Sequence, residues 1–157
     1  MSKSTRATLA LAKAGVSFTT HSYDYDADAD SIGLAAAAAL GEDPGCVLKT
    51  LMVLLDGKPA CAIVPSNREV AMKKLASALG GKSAQMMKVP EAERISGYKV
   101  GGISPFGQTR AVPAVMEEAA ASLPYAYING GQRGLQVRLL PADAVRVLGA
   151  KVAAITA

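Results

Sequence analysis

An α+β domain built on a mixed sheet is the fold that this sequence of 157 residues predicts. Three observations carry that expectation. First, CVLKTLMVLL (46–55) and ACAIVP (60–65) are strongly apolar runs joined by DGKP, the pattern of two strands closed by a tight turn. Second, helical periodicity in REVAMKKLASALG (68–80) and PADAVRVLG (141–149) falls between strand candidates. Hairpins mixed with helix-linked strands give a mixed sheet. Third, half of the residues are apolar and 19% are charged, a composition that packs one core over residues 1–157. With five Tyr, two Phe and no Trp, that core must be built from Ala, Val, Leu and Met.

The elements follow in order. STRATLALAKA (4–14) reads as a short helix capped by Ser4 or Thr5 and stopped by Gly15. VSFTTHSY (16–23) is a strand candidate. DYDADAD then places Asp at 24, 26, 28 and 30, the alternation that opens a calcium loop. A twelve-residue loop from Asp26 would put Ser31 where glycine is needed and Ala37 where glutamate is needed. A solvated loop is therefore expected, with Asp30 or Ser31 capping the helix SIGLAAAAAL before Gly41. After the hairpin and the helix at 68–80, SAQMMKV reads as a short strand and PEAERI as a helical turn led by Pro90. GGKS is no phosphate loop, because Ala76 stands where the first glycine is required. AVPAVM and YAYIN look like strands around a helical turn in EEAAAS. LQVRLL (135–140) alternates as a strand, and KVAAI closes the chain as another.

Conventional catalytic chemistry is scarce. A single histidine, His21, and no CxxC pair argue against a metal. Cys46 and Cys61 sit in apolar runs and read as buried thiols. GISPFG is one residue too long for a nucleophile elbow and lacks its strand-to-helix context. No cofactor is expected. The net charge of +4 suits a polyanion without demanding one. No signal-peptide pattern opens the chain, and no apolar run is long enough to span a bilayer. The expected place is the cytoplasm, with no membrane and no DNA as partner.

Two features stand out against this background. Lys49 lies in VLKTLMVLL, on a strand face that also carries Val47, Leu51 and Val53. It is either a strand-end lysine reaching water or a cation at a pocket mouth that binds an anionic group. GYKVGGISPFGQ (97–108) has four glycines and a proline in twelve positions. It is either a tight loop between elements or a set of bare amides facing a carbonyl or phosphate oxygen. A second cluster, NGGQRGLQ (129–136), carries Arg133, a plausible phosphate contact.

Taken together, HSYDYD, VLKTLMV, GYKVGGISPFGQ and NGGQRGLQV resemble, in order and approximate spacing, the YbaK/EbsC family of aminoacyl-tRNA deacylases. That family is related to the editing domain of prolyl-tRNA synthetase, and the nearest branch is that of the Cys-tRNA(Pro) deacylases. The resemblance implies a mixed sheet partly closed into a barrel and flanked by helices. It implies that Lys49, Gly101 and Tyr23 serve catalysis. Gly102, Ile103, Ser104 and Pro105 would bind the acyl ester or terminal ribose through the glycine loop. Ile32 and Thr50 would limit side-chain size, and Arg133 and Gln136 would contact substrate. Members of the family often carry an acidic residue where this chain has Gln136, which can hydrogen-bond but supplies no charge.

The mechanism implied for the branch needs no protein nucleophile. The thiol of a mischarged cysteine attacks its own ester, so the protein has only to hold the conformer and stabilise the oxyanion. The expected substrate is the acceptor end of Cys-tRNA(Pro), and of Cys-tRNA(Cys), with prolyl-tRNA synthetase as the partner and a monomer or weak homodimer as the state. An Ala-tRNA(Pro)-type deacylase using a bound water, or a non-catalytic module that binds tRNA or a synthetase, fits the same motifs.

Overall fold

The computed structural model describes residues 4–157. Helix α1 (Arg6–Lys13) starts at Thr5, whose hydroxyl accepts from Thr8 N in a reciprocal capping box. Strand β1 (Phe18–Ser22) and the Asp-rich loop lead to α2 (Ile32–Leu40), which Ser31 caps and Gly41, at φ 69°, ends. The apolar hairpin forms as expected: β2 (Leu48–Leu55) pairs antiparallel with β3 (Lys58–Pro65), Lys49 lying opposite Val64. Next come α3 (Met72–Ala78), β4 (Ala84–Met86) and α4 (Val89–Ser96), and then the glycine loop. Strand β5 (Ala114–Glu117), the turn α5 (Glu118–Ala121), β6 (Ala126–Gln132), β7 (Leu135–Leu139), α6 (Pro141–Leu148) and β8 (Lys151–Ala153) complete the chain.

Helix α3 begins four residues later than its periodicity suggests. Val70 forms an antiparallel bridge with Thr156, and Ala71 N donates to Ile155 O. Pairing with the distant C-terminal segment thus holds residues 70 and 71 extended, a tertiary override of a local preference.

The strands make two sheets, not one sheet curling into a barrel. One is mixed, in the order β4-β2-β3-β5-β8; the other is antiparallel, in the order β1-β7-β6. A lone parallel bridge between Val47 and Tyr127 joins them. The reason lies in β2, which already pairs with β3 along its length and with β4 from Val53 to Leu55. Only the start of its second edge is left for β6, so the ladder splits there and no closed barrel forms. The main core lies between the sheets, with Met52, Ile63, Phe106, Met116, Ile128 and Val137 buried in it. No helix among the described residues is long and apolar enough to cross a membrane.

Candidate active site

Where the two sheets part, a cleft of about 320 Å³ opens. Its walls come from the first turn of α2 (Ile32, Gly33), from Val47 and the first residues of β2 (Leu48 to Met52), and from the stretch that runs from the end of β4 to the start of α4 (Met86, Met87, Val89). The glycine loop (Val100, Gly101, Ile103) and, from the smaller sheet, Asn129 and Gln136 complete them. The lining is chiefly apolar. Among the described residues that line it, Lys49 is the one ionisable side chain, and there is no Asp, Glu, His or Cys.

The Lys49 side chain is 22% exposed, and its Nζ lies 3.5 Å from Glu69 Oε1. Glu69 is 87% exposed, so the pair is weak and solvent-screened, and the ammonium stays available to an anionic group in the cleft. Two polar side-chain atoms are buried without a hydrogen-bond partner among the described residues, Thr50 Oγ1 and Gln136 Oε1. Both residues line this cleft. The other end of the Gln136 amide is engaged, Nε2 donating to Tyr23 Oη at 3.4 Å. Strand pairing of β1 with β7 and a bond from Tyr23 N to Gly134 O bring Tyr23 there.

The glycine loop is fastened on both sides. Gly102 N donates to Lys99 O at 2.8 Å, and Val100 N donates to Glu93 Oε2 at 2.9 Å. Asn129 spans the gap to the smaller sheet. Its Nδ2 donates to Gly101 O at 3.1 Å, while its Oδ1 accepts from Gly131 N at 2.7 Å and from Gln132 N. Arg133 Nε donates to Val100 O at 2.8 Å, and its guanidinium lies over the Tyr25 ring, 5.4 Å from the centroid. Gly101 sits at φ 89°, a conformation that favours glycine. Gly102 is needed for a different reason. A Cβ there would lie 2.7 Å from Arg133 N and 2.9 Å from Gln132 C, main chain against main chain.

Of the residues singled out in the sequence, Ile32, Lys49, Thr50, Gly101, Ile103 and Gln136 meet in the cleft. Tyr23 reaches it through Gln136. Gly102 backs the loop from behind. Ser104 and Pro105 are buried outside the cleft lining: Ser104 Oγ accepts from Phe106 N at 3.2 Å, and Pro105 borders a separate hollow with Phe106 and Ala114. Arg133 is exposed beside the loop. Asn129 was missed, although an Asn ahead of two glycines is a turn signal that pointed to its neighbourhood.

The remaining titratable groups lie elsewhere. His21 bonds Thr19 Oγ1 through Nε2 at 2.8 Å and stands edge-on to Tyr127. Cys61 is buried in the core, and burial pushes its thiol up to about 12. Glu42, just beyond α2, accepts from Tyr127 Oη at 2.9 Å and from Tyr125 Oη at 3.0 Å. Those bonds, that from Tyr127 first, hold its carboxyl below the usual range. They also clasp the C-terminal end of α2 to β6, which fixes the helix whose first turn carries Ile32.

Known proteins of the same shape are now informative. Two solved structures align over almost the whole chain. Hypothetical protein APE2540 matches with a TM-score of 0.85 and 21% identity, covering 98% of this chain and 100% of its own. A protein described as a candidate trans-editing enzyme for prolyl tRNA synthetase matches with a TM-score of 0.81 and 22% identity, over 99% of each chain. At that identity the likeness is one of fold. In sequence, the chain is 33% identical over 119 residues to EbsC of Enterococcus faecalis (strain ATCC 700802 / V583), named as a candidate Cys-tRNA(Pro)/Cys-tRNA(Cys) deacylase. The match covers 75% of this chain and 73% of that protein. The family model for the aminoacyl-tRNA editing domain matches residues 26–147, a span that contains every residue lining the cleft. This chain therefore belongs to the aminoacyl-tRNA editing domain family.

Proposed function

We propose that the chain is a trans-editing deacylase that clears Cys-tRNA(Pro), and Cys-tRNA(Cys), with the substrate's own thiol as nucleophile. The observation that carries this reading is the absence of a carboxylate, histidine or cysteine among the described residues lining the cleft. A hydrolase that must activate water wants a general base within reach. A substrate that brings its own nucleophile does not.

In this reading the sulfur attacks the ester carbonyl carbon of the same residue. The C–S bond forms, the C–O bond to the ribose breaks, and the thiol proton ends on the ribose oxygen. The products are a four-membered thiolactone and free tRNA. Holding a near-attack conformer supplies a high effective concentration, and one well-placed donor to the oxyanion is worth roughly 10²–10³ in rate. Gly101, at the cleft wall and braced by Asn129, is the donor we assign. Lys49 supplies a positive charge beside the developing oxyanion, and Ile32 and Ile103 limit the size of the acyl group. Exposed Arg133 meets the acceptor-end phosphates, and prolyl-tRNA synthetase is the partner that would deliver the mischarged tRNA.

The test is deacylation of Cys-, Ser- and Ala-tRNA(Pro) in parallel by the purified protein. Loss of Cys with Ser spared is the expected result, because serine differs mainly in being the poorer nucleophile. Loss of Ser or Ala as well would replace the thiol by a positioned water. Loss of none would make the chain a binding module.

A further inference from the structure

The two partnerless buried atoms, Thr50 Oγ1 and Gln136 Oε1, have no role in the chemistry above. Leaving such atoms dry and unpaired is costly, and native proteins do it rarely. That both belong to residues lining one chiefly apolar cleft points to a ligand group that completes them. Their chemistry says which. The Gln136 amide nitrogen donates to Tyr23 Oη, which leaves the carbonyl oxygen, a pure acceptor, as the unpaired end. The Thr50 hydroxyl can accept as well. A pair of acceptors calls for a group with at least two donors. On an aminoacyl ester the carbonyl and ribose ring oxygens only accept, and a thiol is a single weak donor. The free ribose hydroxyl beside the ester brings one donor and the adenine amine lies beyond the ribose, so within the acyl group the α-amino group alone brings two or three N–H bonds.

We infer that Thr50 and Gln136 together read the free α-amino group of the aminoacyl ester, so that the cleft refuses substrates whose amine is acylated. This rests on the deacylase reading and adds a determinant to it. An N-acyl group leaves one N–H for two acceptors and adds bulk and a carbonyl oxygen. Peptidyl-tRNA is thereby excluded by chemistry as well as by size. Because both acceptors are neutral, amine and ammonium forms are both received.

The experiment compares Cys-tRNA(Pro), 3-mercaptopropionyl-tRNA(Pro), which keeps the thiol and lacks the amine, and N-acetyl-Cys-tRNA(Pro). Each rate is divided by the rate without protein, to remove intrinsic differences in ester reactivity. Wild-type protein should accelerate the first at least tenfold more than the second in kcat/KM, and leave the third uncleaved. Gln136→Leu and, independently, Thr50→Val should each lose about tenfold on Cys-tRNA(Pro) while staying within twofold on the mercaptopropionyl ester. Gln136→Glu, which keeps oxygen facing the cleft, should retain cleavage of Cys-tRNA(Pro). Equal wild-type enhancement of the first two esters overturns the inference and leaves the deacylase reading standing. Parallel losses on both esters in both Gln136→Leu and Thr50→Val assign these residues a structural role and also overturn it. Failure of wild-type protein to cleave any thiol ester sinks the deacylase reading and the inference together.

Discussion

Replacing Gly102 by alanine tests whether the position of the glycine loop matters to the chemistry. Gly102 has no left-handed φ, so the effect is steric. The added Cβ would stand 2.7 Å from Arg133 N, and ordinary contact begins at 3.4 Å. Both neighbours are main chain of the β6–β7 turn, which cannot swing aside as a side chain can. The loop and the turn must part by about 0.7 Å, which stretches the 3.1 Å bond from Asn129 Nδ2 to Gly101 O to about 3.8 Å, beyond hydrogen-bonding range. Overpacking of this kind costs roughly 1–3 kcal/mol. For a chain of this length that lowers Tm by about 2–12 °C. Catalysis should suffer more, because displacement by about 1 Å can cost on the order of 10²-fold. Single-turnover decay of Cys-tRNA(Pro) at 25 °C, beside a thermal melt of the same preparation, reads both quantities. A lowered melt with a rate within threefold of wild type would refute the coupling of loop position to chemistry. An unchanged melt would refute the close approach itself.

Three further outcomes are expected. Lys49→Ala should reduce turnover on the order of 10²-fold. It should leave Tm nearly unchanged, since the pair with exposed Glu69 contributes about 0–1 kcal/mol; equal turnover would remove Lys49 from the reaction. Glu117→Gln should destabilise the fold by about 2–3 kcal/mol, the scale of hydrogen bonds to a charged group. Burial pushes the Glu117 carboxyl up, but bonds from Ala119 N, Ile155 N, Thr156 N and Thr156 Oγ1 outweigh it and hold the group below its ordinary 4.5. A depressed folded-state value contributes stability that is complete above 4.5 and lost as pH falls through that lower value. The gap in Tm between wild type and variant should therefore be constant near neutrality and close in acid; a gap independent of pH down to acid unfolding would contradict the assignment. Finally, tRNA binding should weaken steeply with added salt by the same slope for Cys- and Ser-tRNA(Pro), because phosphate contacts ignore the amino acid. Slopes that differ between the two would show that the acyl group alters the RNA contacts.

Much of the fold was legible because its signals are local. The β2–β3 hairpin is announced by two apolar runs and DGKP, and α2 by Ser31 and Gly41 at its ends. What escaped was set by partners far along the chain. Helix α3 lost its first turn to the strand-like pairing of Val70 with Thr156, and barrel closure failed because β2 shares its second edge with β4. The site divides in the same way. Lys49, Gly101 and Gln136, singled out by their motifs, do line one cleft. Which face of a glycine loop looks into a cleft is not encoded locally, so the motif does not tell that Ser104 and Pro105 lie outside the cleft lining. Asn129 was passed over because its bond to Gly101 closes 28 residues of chain.

The lone bridge at Val47 and Tyr127 has a consequence for how such a protein changes over generations. The strands that line the two sides of the cleft belong to separate ladders, each paired without the other. Thr50 and Ile32 stand on one side of the seam and Gln136 and Asn129 on the other. A substitution at the seam can widen or narrow the aperture while both ladders keep every backbone bond. The shape of the cleft is thus free to drift one residue at a time, with the architecture inherited intact.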